Sequence, residues 1–138
     1  MKIVFVDTNI LIDILIDRHP FSKYAIEIFK TAENGKVKLY TSSHSFATTH
    51  YVLKKYMDEK DLRELLFSVL NFVTPVPVDL NIIKRSLLSK HKDFEDAIQI
   101  FAANTIDNLD YIVTRDLKDF KDTGVQVLPP DEVIKYLA

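Results

Sequence analysis

The chain has 138 residues, with 47% hydrophobic and 28% charged positions, no cysteine, and a formal charge of −2 from 18 Lys and Arg against 20 Asp and Glu. That length predicts a single domain, residues 1–138, able to bury about two-thirds of its unfolded surface in a core of its own. Disulfides and thiolate metal sites are excluded, no apolar run reaches the roughly 20 residues of a membrane helix, the amino terminus lacks a signal-peptide layout, and a cytoplasmic protein without a global basic field is expected.

Ile3-Val4-Phe5-Val6 is a short, largely β-branched run that predicts a strand buried on both faces, and it ends abruptly in Asp7-Thr8-Asn9. In open parallel sheets the carboxyl ends of the strands are where ligands bind. Thr8 or Asn9 is expected to cap a helix whose stripe is Ile10, Leu11, Ile14 and Leu15. A second helix runs from Phe21 through Tyr24, Ala25, Ile28 and Phe29, and stops near Asn34-Gly35. Val37 to Tyr40 reads as the second strand. Thr41-Ser42-Ser43-His44 then caps a helix bearing Phe46, Thr49, Val52 and Leu53.

Asp61 is expected to start a helix through Leu62, Leu65, Leu66, Val69 and Leu70, ending before Pro75. Val76 and Val78 flank Pro77, which allows only a short or edge strand there. A helix with Ile82, Ile83, Leu87 and Leu88 follows, and another from about Asp93 to Thr105. Tyr111 to Val113 and Val125 to Leu128 read as strands, and Pro129-Pro130-Asp131 opens a terminal helix. Strands separated by helices predict a three-layer α/β/α sandwich around a mostly parallel sheet.

Two strands thus run into acids: the first into Asp7, and Tyr111-Ile112-Val113 into Thr114-Arg115-Asp116. Asp93 and Asp96 are three apart at the head of an apolar helix and share a face, while Asp116 and Asp119 repeat that spacing. Taken singly, each acid has a structural explanation as a helix cap or an exposed loop residue. Taken together, carboxylates converging on one cleft repel one another unless a cation neutralises them, so a divalent-metal site is expected. The cations Lys54-Lys55, Lys84-Arg85, Lys90-His91-Lys92 and Arg115 are open to two readings, solvated helix faces and ends or local phosphate contacts. Tyr51, Tyr56 and Phe120 are expected to pack rather than to stack on bases, and His44 and His50, six apart, do not share a helix face as a zinc pair would.

Three pieces carry a wider likeness: Val4-Phe5-Val6-Asp7-Thr8-Asn9-Ile10-Leu11-Ile12-Asp13, then Asp93-Phe94-Glu95-Asp96-Ala97 with Ala102-Ala103, then Ile112-Val113-Thr114-Arg115-Asp116-Leu117-Lys118-Asp119-Phe120. In this order and spacing the chain resembles the PIN-domain family of metal-dependent ribonucleases, especially the small single-domain members that include VapC-type toxins. The resemblance implies Asp7, Asp96 and Asp116 as catalytic metal ligands, with Asp119 or Asp93 contributing, and Mg²⁺ or Mn²⁺ as the ion. It implies an RNA substrate, a homodimer and a small antitoxin partner. Thr8 and Thr114 are expected to position a ligand or water, Asn9 to hold the turn, and Arg115 either to contact phosphate or to form a surface ion pair with Asp119 or a neighbouring acid.

One departure stands out. The family places a further acid, most often Glu, early in the helix after the second strand, and here Thr48 occupies that place in Ser42-Ser43-His44-Ser45-Phe46-Ala47-Thr48-Thr49-His50. No Asp or Glu lies between Glu33 and Asp58. A catalytically weak or inactive module that binds RNA or protein is therefore the competing expectation. A phosphatase of the haloacid dehalogenase type is disfavoured because Asn9 stands where its second strand-end Asp belongs, and the chain has no Gly-rich phosphate loop.

Overall fold

A computed structural model describes residues 1–137; Ala138, the last residue of the expected domain, lies outside the described residues. The strands are β1 (Lys2–Val6), β2 (Val37–Ser42), β3 (Val73–Val76), β4 (Tyr111–Val113) and β5 (Gln126–Leu128). The helices are α1 (Thr8–Leu15), α2 (Ser22–Glu33), α3 (Ser43–Leu53), α4 (Glu59–Val69), α5 (Leu80–Leu88), α6 (Phe94–Ala103) and α7 (Pro130–Val133), with a 3₁₀ turn at Ile134–Tyr136. All five strands are parallel, in the order β3-β2-β1-β4-β5.

Alternation along β1 divides the core. Val4 and Val6 join Ile10, Leu11, Ala25, Ile28 and Leu39 on one face, against α1 and α2. Phe5 joins Ile82, Ile98, Ile100, Ala102 and Ile112 on the other, against α5 and α6. A strand with helices on both faces must be apolar at every position, which is why this run shows no polar alternation. The three-layer architecture expected from the sequence is the one observed.

Three local expectations are corrected. Asp7, not Thr8 or Asn9, caps α1: its backbone is extended and its carboxylate accepts from Thr8 N. Helix α4 starts at Glu59 because Asp58 accepts from Asp61 N, three residues on, so Asp61 lies inside the first turn. The third strand is Val73–Val76 and contains Pro75, rather than running across Pro77. It is nevertheless an edge strand, where a residue without an N–H is tolerated on the unpaired side. Helix α6 starts where expected, directly after Asp93, whose carboxylate caps it by accepting from Asp96 N at 3.0 Å.

Sheet order puts β1 at the centre, between β2 and β4. The chain crosses from β1 to α1 at Asp7, and Asp7 N donates to Val113 O of β4 at 2.9 Å. On the other side Thr41 Oγ1 of β2 donates to Val6 O at 2.7 Å. Asp7 is thus fixed at the carboxyl rim of the sheet from both neighbouring strands.

Candidate active site

Asp7 is buried, and both of its carboxylate oxygens are engaged: Oδ1 accepts from Thr8 N at 2.7 Å and Oδ2 from the Thr114 hydroxyl at 2.8 Å. Burial pushes its pKa up to about 6, against the lowering effect of those two hydrogen bonds, with the nearby Asp116 carboxylate adding to the rise and Arg115 opposing it. The Thr114 side chain does double duty, because its oxygen also accepts from Asp116 N at 3.0 Å. One buried hydroxyl therefore sets the acid after β1 and the turn that carries the acid after β4. Replacing Thr114 by Val removes the donor to Asp7 and the acceptor for Asp116 at once. The expected result is a loss of about 1–3 kcal/mol in urea unfolding, with the Asp7 carboxyl driven further upward.

Around this pair the remaining acids gather. One carboxylate oxygen from each of Asp96, Asp116 and Asp119 falls within 4.8 Å of the other two. Asp96 stands in the first turn of α6, and Asp116 and Asp119 flank the turn after β4, where Asp119 N donates to Asp116 O at 3.3 Å. The Asp96 pKa is pushed up to about 7, first by burial and then by the negative charges of Asp7, Asp93, Asp116 and Asp119. Asp116 is likewise raised, by partial burial and by Asp119, with which it shares a proton-dependent contact. Asp93 serves as the helix cap and contributes its charge to the field. Of the acids singled out in the sequence, Asp96, Asp116 and Asp119 form the tight trio, Asp7 lies beside them with its oxygens committed, and Asp93 borders them.

The uncharged residues divide differently. Thr8 Oγ1 and Ser45 Oγ share a hydrogen bond at 2.8 Å, and Gln99 Nε2 donates to both, at 2.7 and 2.8 Å. This knot ties α1, α3 and α6 together beneath the acids. Gln99 Oε1 and Asn9 Oδ1 are both buried with no hydrogen-bond partner among the described residues, although both residues line the cleft beside Asp7 and Asp96. Asn9 is the second residue of α1, two beyond the Asp7 cap. Thr48 lies a turn away and faces His44, with Oγ1 3.4 Å from Nε2, and His44 in turn lies 3.8 Å from the Glu95 carboxylate. Phe120 packs in the core beside Ile112 as expected, whereas Tyr51 and Tyr56 depart from the expectation and are exposed, with Lys54 lying over the Tyr51 ring.

Arg115 pairs with an acid, but with Asp13 of α1 rather than Asp119. Three contributors escaped the sequence reading: Asp13, Ser45 and Gln99. Asp13 had a signal, since it is a lone acid inside the apolar run of α1. Gln99 had a weaker one, three residues after Asp96 and on the same face of α6.

The PIN domain family profile matches residues 3–118. The chain belongs to the PIN-domain family. It is 28% identical over 134 residues to ribonuclease VapC1 of Aquifex aeolicus (strain VF5), covering 94% of this chain and 91% of that protein. Among solved structures, a chain of a toxin–antitoxin complex from Klebsiella pneumoniae is similar at 26% identity and a TM-score of 0.61, covering 92% of this chain and 97% of that one. A chain of VapBC2 from Rickettsia felis, solved bound to a DNA fragment from its promoter, shares the fold at 18% identity and a TM-score of 0.63, covering 93% of this chain and 98% of that one.

Proposed function

We propose that the protein is a metal-dependent endoribonuclease, and the toxin of a toxin–antitoxin pair, that hydrolyses phosphodiester bonds in single-stranded RNA. The observation that carries this is the trio Asp96, Asp116 and Asp119, whose oxygens fit within 4.8 Å at the rim of a PIN-domain sheet. An all-oxygen, carboxylate-only donor set suits a hard divalent cation such as Mg²⁺ or Mn²⁺. The raised pKa of Asp96 supports the same view, since a cation beside it would offset both the burial and the neighbouring negative charges that raise it. When bound, such an ion lowers the pKa of water for in-line attack and offsets charge on the phosphate.

The protein's own groups account for the rest. Asp96, Asp116 and Asp119 hold the ion. Asp7, fixed by Thr8 N and Thr114, lies next to them and can orient a water beside the ion. The Thr8–Ser45–Gln99 knot fixes the cleft floor, leaving the unpartnered Gln99 Oε1 as an acceptor for water or for a ribose hydroxyl. The relative from Aquifex aeolicus, named a ribonuclease, supports RNA as substrate. A cytoplasmic setting goes with that substrate; no helix among the described residues is long and apolar enough to cross a membrane.

Partners follow from two surfaces. The apolar groove between α1, α2 and α4, about 390 Å³ and lined by Ile14, Phe29, Leu65 and Phe72, supports an antitoxin segment as its occupant. Exposed Leu80, Leu87 and Leu88 on α5 support association of two copies as a homodimer. The purified protein should cut a single-stranded RNA in Mn²⁺ and stop when the ion is chelated; cutting undiminished by chelator would refute the proposal.

Thr48 motivates the second reading, a module that has lost its chemistry. Putting an acid back separates the two. Thr48→Glu is expected to tighten Mn²⁺ binding in calorimetry by about tenfold, because ligand charge sets affinity for a hard cation. A wild-type protein that takes up no Mn²⁺, and a Thr48→Glu protein that does, would favour the inactive module.

A further inference from the structure

We propose that Arg18 and Arg115, both clamped on the buried carboxylate of Asp13, anchor one backbone phosphate of the bound RNA beside the acidic trio. Asp13 has no solvent exposure and lies in the apolar helix α1. Arg18 reaches its Oδ1 with Nε at 2.9 Å and a terminal nitrogen at 2.8 Å. Arg115 donates from Nε to Oδ2 at 2.8 Å, with a terminal nitrogen 3.4 Å from Oδ1. A buried acid is neutralised by one guanidinium. Here two converge on it, so the group carries a surplus positive charge, and neither arginine has a second acidic partner among the described residues.

That surplus is aimed. Both arginines line the cleft of about 290 Å³ that also contains Asp7 and Asp96. Each guanidinium has five N–H donors, and those not spent on Asp13 remain available, the side chains being 38% and 26% exposed. The Arg115 guanidinium also lies 3.9 Å over the Phe21 ring, which fixes its plane. A phosphodiester approaching a cluster of carboxylates is repelled by them, and a rigid pair of planar forks at the cleft wall supplies the compensating attraction. Asp13 acts through the arginines and is a positioning residue. A mere tether between α1 and the turn after β4 would need only one arginine and no opening to the cleft.

This inference rests on the nuclease reading, so its test reads binding without turnover. Short single-stranded oligouridine, labelled with a fluorophore, is titrated by anisotropy with Ca²⁺ replacing Mn²⁺, across a series of KCl concentrations. Arg115→Gln leaves Asp13 paired with Arg18 and is expected to weaken binding about tenfold, with the slope of log affinity on log salt reduced by about 0.7, the value for one phosphate on a single strand. Arg115→Lys keeps the charge and loses the fork; it should restore the slope but only part of the affinity. Asp13→Asn makes the site more positive, so an account based on charge alone expects tighter binding, whereas loss of positioning weakens it. Thermal melting verifies that each variant is folded, and should Asp13→Asn fail to fold, the two Arg115 variants decide.

Wild-type affinity and slope in Arg115→Gln, full affinity in Arg115→Lys, or no measurable binding of oligouridine by the wild type would each overturn the anchor. RNA cleavage in Mn²⁺ by a wild type whose binding ignores Arg115 would leave the nuclease standing without it. Arg115-dependent binding in a protein that never cuts RNA would leave the anchor and remove the nuclease.

Discussion

Asp96→Asn is expected to lose at least about 100-fold in RNA cleavage and a similar factor in Mn²⁺ affinity, because the substitution removes a charged ligand, and even supporting groups around a metal cost 10- to 100-fold. The metal-free protein should not pay for this in stability. Asp96 is surrounded by the charges of Asp7, Asp93, Asp116 and Asp119, and a neutral amide of the same shape is spared that repulsion. The cap of α6 is untouched, since Asp93 bonds the backbone N–H of residue 96 rather than its side chain. The distinguishing signature is therefore a melting temperature equal to or above wild type in EDTA, together with lost cleavage and lost calorimetric heat in Mn²⁺. Cleavage surviving in this variant, with contaminating nuclease excluded, would displace the reaction from the trio.

A second large effect links pH, metal and stability. Four carboxyls titrate higher in the folded chain than at their ordinary value of 3.8, Asp7 at about 6, Asp96 at about 7, and Asp116 and exposed Asp61 in the same direction. Over the interval between those values the folded state binds more protons than the unfolded state. Stability conferred by the protonated forms is thus complete below the unfolded value and is lost as pH climbs through 6 and 7. For buried Asp7 alone the difference is on the order of 3 kcal/mol. In EDTA the melting temperature should fall as pH rises from about 4 and level off above about 7, and Mn²⁺ should flatten the decline by taking the place of the protons. Exposed Glu59, held down by bonds from His50 and Arg63, works in the opposite direction but only below its ordinary 4.5, outside most of this window. A metal-free protein that grows more stable from pH 4 to 7 would contradict the assignment.

Much of the frame was legible because it depends on local rules. A continuous apolar run such as Val4-Phe5-Val6 has to be sandwiched between helices, and the acids that end β1 and β4 have to emerge at the same rim when the strands are parallel neighbours. What stayed hidden depends on partners distant in the chain. That Asp7 spends both oxygens internally follows from a hydroxyl at position 114 and a backbone N–H at position 8, and the sequence shows neither the distance nor the burial. Arg115 had two readings that only its surroundings could separate, and its acid proved to be Asp13, 102 positions earlier. The edge strand moved from Pro77 to Pro75 because pairing with β2, Thr41 opposite Pro75, outweighs the local β preference of Val78. Val78 instead gives its N–H to the Ser43 hydroxyl, at 3.0 Å.

The pairing of β1 with β4 has a temporal corollary. Ile3 N donates to the Asp110 carboxylate and Asp110 N to Ile3 O, closing a circuit of 107 residues, and two of the three clustered oxygens arrive only at positions 116 and 119. A chain growing from its amino terminus carries Asp7 early, yet the acids that stand around it in the fold follow only after β4. The acidic cluster therefore cannot assemble before β4, which leads into Asp116 and Asp119, has paired with β1 across that long separation.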